Sequence, residues 1–369
     1  MSERVLEDPF SPSPHMQSLF EERKQEAMLT KGQVINGRVK IIDDVLQVQN
    51  AASQFRKENE DLARQLRKEA GRGCLARVSE VPNSYRTILD KLMFEMPNFE
   101  SVIQKIRAEL TLASITRDKV FRLETPLLLV GPAGVGKTHF VNELADRLGL
   151  LTERVSCSDS SAGFVLSGLT SGFGTGQPGQ IYKTIVGKRV ANPILILDEI
   201  DKSSVDDNAS HQSFENVFYN LLEPISSRSY KDECMQIEFD ASHICWLATA
   251  NNLDAISAPI RDRFNVVEVA YPSISERQMI CRNLYEKMLQ THAWGSHFSE
   301  FLEDDIVSLL SSKETSVRQL KRYMYEAFAS AAEEAESRGC NQLDKIELRG
   351  FHFNVKSTNS HASRIGFIQ

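Results

Sequence analysis

The spacing of apolar residues changes character along this chain. From Ile41 to Leu66 they recur in alternating steps of four and three: Ile41, Val45, Val48, Ala52, Phe55, Leu62 and Leu66, with Asn59 in the same series. That is a heptad, with Val45, Ala52, Asn59 and Leu66 on one seam and Ile41, Val48, Phe55 and Leu62 on the other. Charges fill the outside (KENEDLARQLRKE). The spacing predicts either a coiled coil, in which a seam asparagine fixes register, or a long amphipathic helix laid on its own protein. Gly71 and Gly73 end it. Helical spacing returns in FESVIQKIRAELTLA (99–113), through Val102, Ile103, Ile106 and Leu110. Three short, continuous apolar runs follow: PLLLV (126–130), PILILDEI (193–200) and HICWLATAN (243–251). Runs of that kind predict strands covered on both faces. A helical pattern, THFVNELADRLGL, follows the first of them. Strands alternating with helices imply an α/β fold with a parallel sheet flanked by helices. From Ser273 the strand runs stop and helical segments take over: SERQMICRNLYEKMLQ, FLEDDIVSLLSS and SVRQLKRYMYEAFASAAEEAESRG. These read as a small all-α unit, closed by a short alternating stretch (KIELRGFHFNV) and a polar tail.

At 369 residues the chain predicts two or three units. The expected division is an N-terminal arm with the amphipathic or coiled-coil helix over 1–85, a sheet-bearing domain over 86–272, a helical domain over 273–356 and a tail over 357–369. The first 35 or so residues are polar and proline-bearing, as in a mobile arm. Apolar residues make up 41% and charged residues 25%, so a large core can form. The net charge of −7 gives no general pull towards nucleic acid. No stretch approaches the roughly 20 apolar residues that span a bilayer. The N-terminus carries acids and prolines and lacks the apolar segment of a signal peptide, so a cytoplasmic location is expected. The six cysteines form no C-x-x-C pair and the eight histidines are scattered. They read as ordinary thiols in a reducing compartment, with no metal site built from side chains alone.

Candidate chemistry lies where two of the predicted strands end. Gly131-Pro132-Ala133-Gly134-Val135-Gly136-Lys137-Thr138 matches G-x-x-x-x-G-K-[ST] in full, directly after a buried strand and before a helix. Its glycines let the backbone curl so that N–H groups face phosphates, and the helix N-terminus adds positive potential. Lys137 supplies a point charge to the β- and γ-phosphates of ATP, and Thr138 a hydroxyl to Mg²⁺. Asp198 and Glu199 end the second strand run. Asp198 suits Mg²⁺, held through water, and Glu199 suits polarising the attacking water. Together the two motifs predict ATP hydrolysis and not binding alone.

The order GPAGVGKT, LILDEIDK, LATANN, APIRDRF and SVRQLKR resembles an AAA+ ATPase, in particular the ATPase module of the Lon proteases, from about Phe99 to about Ala332. The resemblance implies further roles. Asn251 matches the sensor-1 polar residue that orients the attacking water. Arg263 matches the arginine finger that enters a neighbouring subunit's ATP site, and Arg318 matches sensor 2, which reaches from the helical lid to the phosphates. Arg261 stands where Lon-type chains carry an apolar residue and reads as a second trans arginine or a surface residue. Arg322 and Lys321 read as solvated lid charges. Counting back from Pro178-Gly179 puts Phe173 at the pore-loop aromatic, although Gly174 stands where the family has an aliphatic residue. Lon proteases continue into a Ser–Lys peptidase domain. Only about thirty residues follow the lid here, so the expectation is a motor without its own protease.

The resemblance therefore implies a homo-oligomeric ring, as a hexamer, that spends ATP on remodelling, unfolding or disassembling a protein substrate, with or without a separate protease as partner and with no membrane. Two other readings stay open. One is a nucleic-acid-associated AAA+ motor or loader, against which stand the acidic charge and the absence of a recognisable helix-turn-helix or zinc module. The other is a nucleotide-gated interaction scaffold, against which stands an intact Glu199.

Overall fold

The computed structural model describes residues 31–55, 60–72, 74–158, 162–169, 176–203, 214–312, 315–338 and 345–353. The chain divides into two compact units. The first takes the chain up to Leu89 with Ser101–Gly131 and Thr138–Glu268. The second takes Asp90–Glu100, Pro132–Lys137 and the chain from Val269 onward.

The first unit is built on a five-stranded sheet of β1 (Leu127–Val130), β2 (Thr152–Ser156), β3 (Ile194–Asp198), β4 (Cys245–Ala250) and β5 (Asn265–Glu268). The order is β5-β1-β4-β3-β2, and every pairing is parallel. Sequence explains the order of burial. The three central strands, LLLV, ILILD and CWLATA, are buried at every position, as strands covered on both faces must be. The two edges, TERVS and NVVE, are mixed and partly exposed. They lack the continuous apolar run, which is why the hydrophobic pattern predicted only the central three. The helix Lys137–Leu148 (α5) follows β1, and the helix Phe214–Leu222 leads towards β4.

The N-terminal segment departs from the expected continuous helix. Val34–Ile35, Arg38–Lys40 and Leu75–Arg77 form a three-stranded antiparallel sheet. Between the last two lie α1 (Val45–Gln54) and α2 (Glu60–Gly71), packed against each other. Helix α1 stops at Phe55, whose φ of −70° and ψ of 134° are extended. The heptad thus folds back on itself within one chain in place of a continuous coiled coil. Ile41 and Ile42 lie outside the helix. With Val48, Ala51, Ala52, Leu66 and Ala70 they join one buried cluster that includes Leu128, Leu195 and Leu197 of the central sheet. The physical reason is that the seam residues bury more fully on an existing core than along a short seam of their own. Buried Glu69 is neutralised by Arg72 at 3.2 Å and Arg189 at 3.6 Å, and Arg189 also donates to the Leu75 carbonyl. Asn192 adds a second tie. Its Oδ1 accepts from the Ser79 N–H at 2.7 Å, and its Nδ2 donates to the carbonyls of Ser79 and Phe121 at 2.9 and 2.8 Å.

The backbone at Gly168 and at Gly179, on either side of the Phe173 position, is also fixed. Asp232 is fully buried; its carboxylate accepts from the Gly179 N–H at 2.8 Å and from the N–H groups of Cys234 and Met235 at 2.9 and 2.8 Å. Burial pushes its pKa up to about 6, against the lowering effect of those three donors. Gly168, at φ +87°, and Gly179 sit so close that a Cβ on either would overlap backbone of the other. Phe173 lies outside the described residues.

The second unit holds α6 (Ile274–Thr291), α7 (Asp304–Ser311) and α8 (Val317–Ser337), with α3 (Tyr85–Glu95) and α4 (Glu100–Ile115) earlier in the chain contributing only the segment from Asp90 to Glu100. Helices α6 and α8 both open with capping boxes, Ser273 with Glu276 and Ser316 with Gln319. Their apolar faces close on a core in which Phe328 packs against Tyr285, Trp294 and Phe298 at ring separations of 5.4, 4.7 and 4.8 Å. The alternating C-terminal stretch completes it through Leu348 and Phe353. Buried His352 accepts at Nδ1 from the Arg349 N–H, which leaves Nε2 to donate to Glu334 at 2.6 Å. Among the described residues, no helix is long and apolar enough to cross a membrane.

The hairpin packing predicts that Leu66→Ala, at a side chain with no exposed surface, costs about 2–5 kcal/mol. Denaturant unfolding should show the loss at every protein concentration. A loss confined to dilute protein would instead indicate an intermolecular seam.

Candidate functional site

Parallel strands present all their C-terminal ends on one edge, and the site residues of the first unit gather there. Strand β3 delivers Asp198 as its last residue, opposite Ser156 of β2. Leu197 pairs with Ala248 of β4, so Asp198 stands level with Thr249. Level residues on parallel strands point to the same face, and the Thr249 hydroxyl donates to Asp198 Oδ1 at 2.6 Å. The Thr138 hydroxyl donates to the same oxygen at 2.9 Å. Arg154 of β2 makes an ion pair with the other oxygen, Oδ2. Four elements therefore converge on one carboxylate that is 6% exposed. Burial raises its pKa, but the Thr249 and Thr138 hydroxyls and the Arg154 guanidinium outweigh burial and hold it below the usual carboxylate range.

Glu199 follows in a left-handed conformation, φ 57° and ψ 50°. For a residue with a Cβ this costs about 1–2 kcal/mol. Its N–H donates to the Thr249 hydroxyl at 3.1 Å, so Thr249 braces both acids. The turn aims the Glu199 carboxylate away from the strand, where Lys202 Nζ donates to it at 3.0 Å. Asn251 comes just past β4. Asp201 Oδ2 accepts the N–H groups of Asn251 and Asn252, both at 3.1 Å, and so pins the end of β4 beside the turn after β3.

The phosphate-loop motif begins at Gly131, whose N–H donates to the Ala250 carbonyl at 3.1 Å. Within the second unit, Gly134 and Gly136 adopt φ of +88° and +101°, which favour glycine, and a Cβ on Gly134 would lie 3.0 Å from Ser316. The Val135 carbonyl accepts from Asn98 at 3.4 Å and the Ala133 carbonyl from the Tyr271 hydroxyl at 3.3 Å. Lys137 opens α5; the residue is buried, and its ammonium donates to the Pro132 carbonyl at 3.0 Å. Arg318 is exposed in the first turn of α8, two residues beyond the Ser316 that abuts Gly134.

Arg263 is placed differently. Its Nη1 donates to the Pro259 carbonyl at 2.7 Å and its guanidinium lies over the Tyr219 ring at 5.0 Å. Among the described residues, neither a hydrogen bond nor an ion pair joins it to the Asp198 cluster. Arg261 is half-buried; Arg322 lies 3.7 Å from Glu326 in an exposed ion pair.

The motif reading missed Thr249, Arg154 and Asp201. Each left a faint signal: a hydroxyl inside an apolar strand, a cation in an edge strand and a third acid after Asp198-Glu199. None is specific without the register that brings them together. The donor set itself, a carboxylate and a threonine hydroxyl 2.9 Å apart, is made of the hard oxygens that suit Mg²⁺. Among the described residues no group of three or more His, Cys, Asp or Glu side chains could hold a metal alone. The described cysteines are buried and free, and burial pushes Cys74 and Cys234 up to about 11 and Cys245 and Cys281 up to about 12. Such thiols stay protonated and unreactive.

A five-stranded parallel sheet carrying this loop, and this pair of acids, defines the class of P-loop nucleotide-binding domains. Residues 127–270 match the model of the ATPase family associated with various cellular activities (AAA). The chain is 29% identical over 247 residues to Lon protease 4 of Sorangium cellulosum (strain So ce56), covering 66% of this chain and 30% of that one. It is 28% identical over 242 residues to Lon protease 1 of Bacillus subtilis (strain 168), covering 64% and 30%. To the peroxisomal Lon protease homolog 2 of Caenorhabditis elegans it is 29% identical over 199 residues, covering 53% and 25%. It thus spans under a third of the length of these relatives. Among solved structures, S. cerevisiae Hsp104 in its extended casein complex shares the fold, with a TM-score of 0.56 at 16% identity over 72% of this chain and 50% of that one. Residues 127–270 thus match an AAA ATPase domain, and about two thirds of the chain is similar to part of the Lon proteases.

The bracing of Asp198 predicts that Thr249→Val, which keeps the shape and removes the donor, costs about 1–3 kcal/mol near neutral pH. Asp198 has a depressed folded-state pKa, so its contribution is present above the unfolded value of about 3.9 and lost as pH falls through the folded value. Urea unfolding across pH should therefore show the penalty of Thr249→Val shrinking in strong acid.

Proposed function

We propose that this chain hydrolyses ATP in a ring of like subunits and uses the energy to remodel protein substrates. The observation that carries the reading is the convergence of Thr138, Asp198 and Thr249 on one edge of the sheet, with Glu199 turned out of the strand beside them. In this reading Gly131, Pro132, Ala133, Gly134, Val135 and Gly136 present backbone N–H groups to the phosphates, and Lys137 exchanges the Pro132 carbonyl for a phosphate oxygen. Thr138 and Asp198 would hold Mg²⁺, which when bound would neutralise charge on the phosphates. Glu199 orients and polarises the water, and Asn251, pinned through Asp201, aligns it. Arg318 reaches the phosphates from the helical lid.

The surroundings of Arg263 support a role in trans. Its guanidinium is held on Pro259 and Tyr219 and makes no bond to its own chain's Asp198 cluster among the described residues. A fixed, part-exposed guanidinium of this kind suits a finger offered to a neighbouring subunit, and ring closure, as a hexamer, supplies that neighbour. Protein as the substrate class rests on the likeness to Lon proteases, and their peptidase activity is not part of the proposal.

Glu199→Gln should lower ATP turnover by about a hundredfold or more while nucleotide still binds. Wild-type turnover should rise when an unfolded protein is added. Stimulation by DNA in its place would favour the nucleic-acid motor, and binding without turnover would favour the scaffold. Arg263→Ala should lower turnover by about a thousandfold. Mixed with Lys137→Ala subunits it should recover part of that activity at hybrid interfaces, and co-assembled rings that recover none would rule out a simple trans role.

A further inference from the structure

The Arg154–Asp198 pair is not used in the chemistry above. Arg154 lies in the edge strand β2, two residues before Ser156, which stands in register with Asp198. Positions 154 and 156 share a face of the strand, so a long side chain at 154 runs along that face to the sheet's C-terminal edge. There its Nη2 meets Asp198 Oδ2. The two partners sit in contrasting surroundings. The Asp198 side chain is 9% exposed, whereas that of Arg154 is 54% exposed. A shielded carboxylate without a counter-charge is costly, so Asp198 needs a cation beside it at all times. An arginine on an edge strand, with more than half its side chain in water, can leave at little cost, because water solvates the guanidinium once it swings out.

The oxygens of Asp198 are limited in number. Oδ1 already accepts from Thr138 and Thr249. Oδ2 is the oxygen with room for a further partner, and Arg154 occupies it. A Mg²⁺ ion held at Asp198, whether directly or through a coordinated water, draws on the same negative charge and the same oxygen.

We propose that Arg154 is a built-in competitor of Mg²⁺: it neutralises Asp198 when the metal is away and must be displaced for the metal to engage. The inference rests on the reading of Asp198 as the Mg²⁺-bearing carboxylate. Two consequences follow by linkage. Arg154 weakens Mg²⁺ binding, and Mg²⁺ weakens the hold of Asp198 on Arg154 by the same factor. Arg154 also ties β2 to β3 at the very edge where nucleotide enters. The bond from the Cys157 N–H to the Asp198 carbonyl, at 2.9 Å, keeps β2 and β3 paired when Arg154 is displaced.

The test is binding of a fluorescent ADP analogue to the full chain at a series of Mg²⁺ concentrations, beside thermal unfolding with and without Mg²⁺. Wild type is compared with Arg154→Met, which keeps the stem and removes the charge, with Arg154→Gln in case the Met variant folds poorly, and with Arg154→Lys. The neutral variants should reach half-maximal Mg²⁺-dependent binding at about threefold lower Mg²⁺ or less. They should also unfold at lower temperature than wild type without Mg²⁺, and the gap should close with saturating Mg²⁺ and ADP. Arg154→Lys should stay near wild type in Mg²⁺ requirement. An unchanged Mg²⁺ requirement in folded neutral variants would overturn the competition. So would weaker binding at every Mg²⁺ concentration, which would make Arg154 a phosphate ligand. Wild-type protein that binds the analogue equally with and without Mg²⁺ would instead overturn the reading of Asp198 on which the proposal rests.

Discussion

The Asp198 carboxylate is the point on which the first unit's architecture turns. It ends a strand buried along its whole length, and three side chains from three other elements reach it: Thr138 at the start of α5, Thr249 on β4 and Arg154 on β2. A buried carboxylate is costly without partners, and each partner ties the element that carries it to β3. Continuous apolar runs in LLLV, ILILD and CWLATA place these strands in the middle of the sheet, covered on both faces. The acid and its partners then fall on one edge because every strand runs the same way.

Both site motifs hold the backbone in special conformations. Glu199 is left-handed, and Gly134 and Gly136 take positive φ. These are costs that ordinary packing has to offset. The offset is visible in unbroken burial along the three central strands, and in the N-terminal segment, whose helical hairpin and small sheet extend the same core. The N-terminal segment is thereby part of the ATPase unit's stability. Asn192 and Arg189 explain how an element so distant in sequence is held: each satisfies backbone groups of the segment at 75–79 with side-chain hydrogen bonds.

The second unit follows a plainer logic. Two capping boxes start its longest helices and one aromatic cluster around Phe328 closes them. Its bearing on chemistry lies in two facts, that the residues Pro132–Lys137 belong to it and that Ser316, the cap of α8, sits against Gly134.

The sequence by itself determined the class of fold, the central strands and the phosphate-loop residues with Asp198 and Glu199. Each of these depends on local chemistry: continuous apolar runs, a glycine-defined turn, adjacent acids after a strand. Tertiary structure alone decided the rest. The heptad from Ile41 to Leu66 carried no mark of its turn at Phe55, because burial on a core built from distant residues outweighed a seam of its own. The edge strands TERVS and NVVE lacked a pattern because half of each faces water. Thr249, Arg154 and Asp201 could not be picked out either. A hydroxyl, a cation and an acid on separate elements acquire a role only when parallel register sets them around one carboxylate, and no spacing along the chain records that meeting.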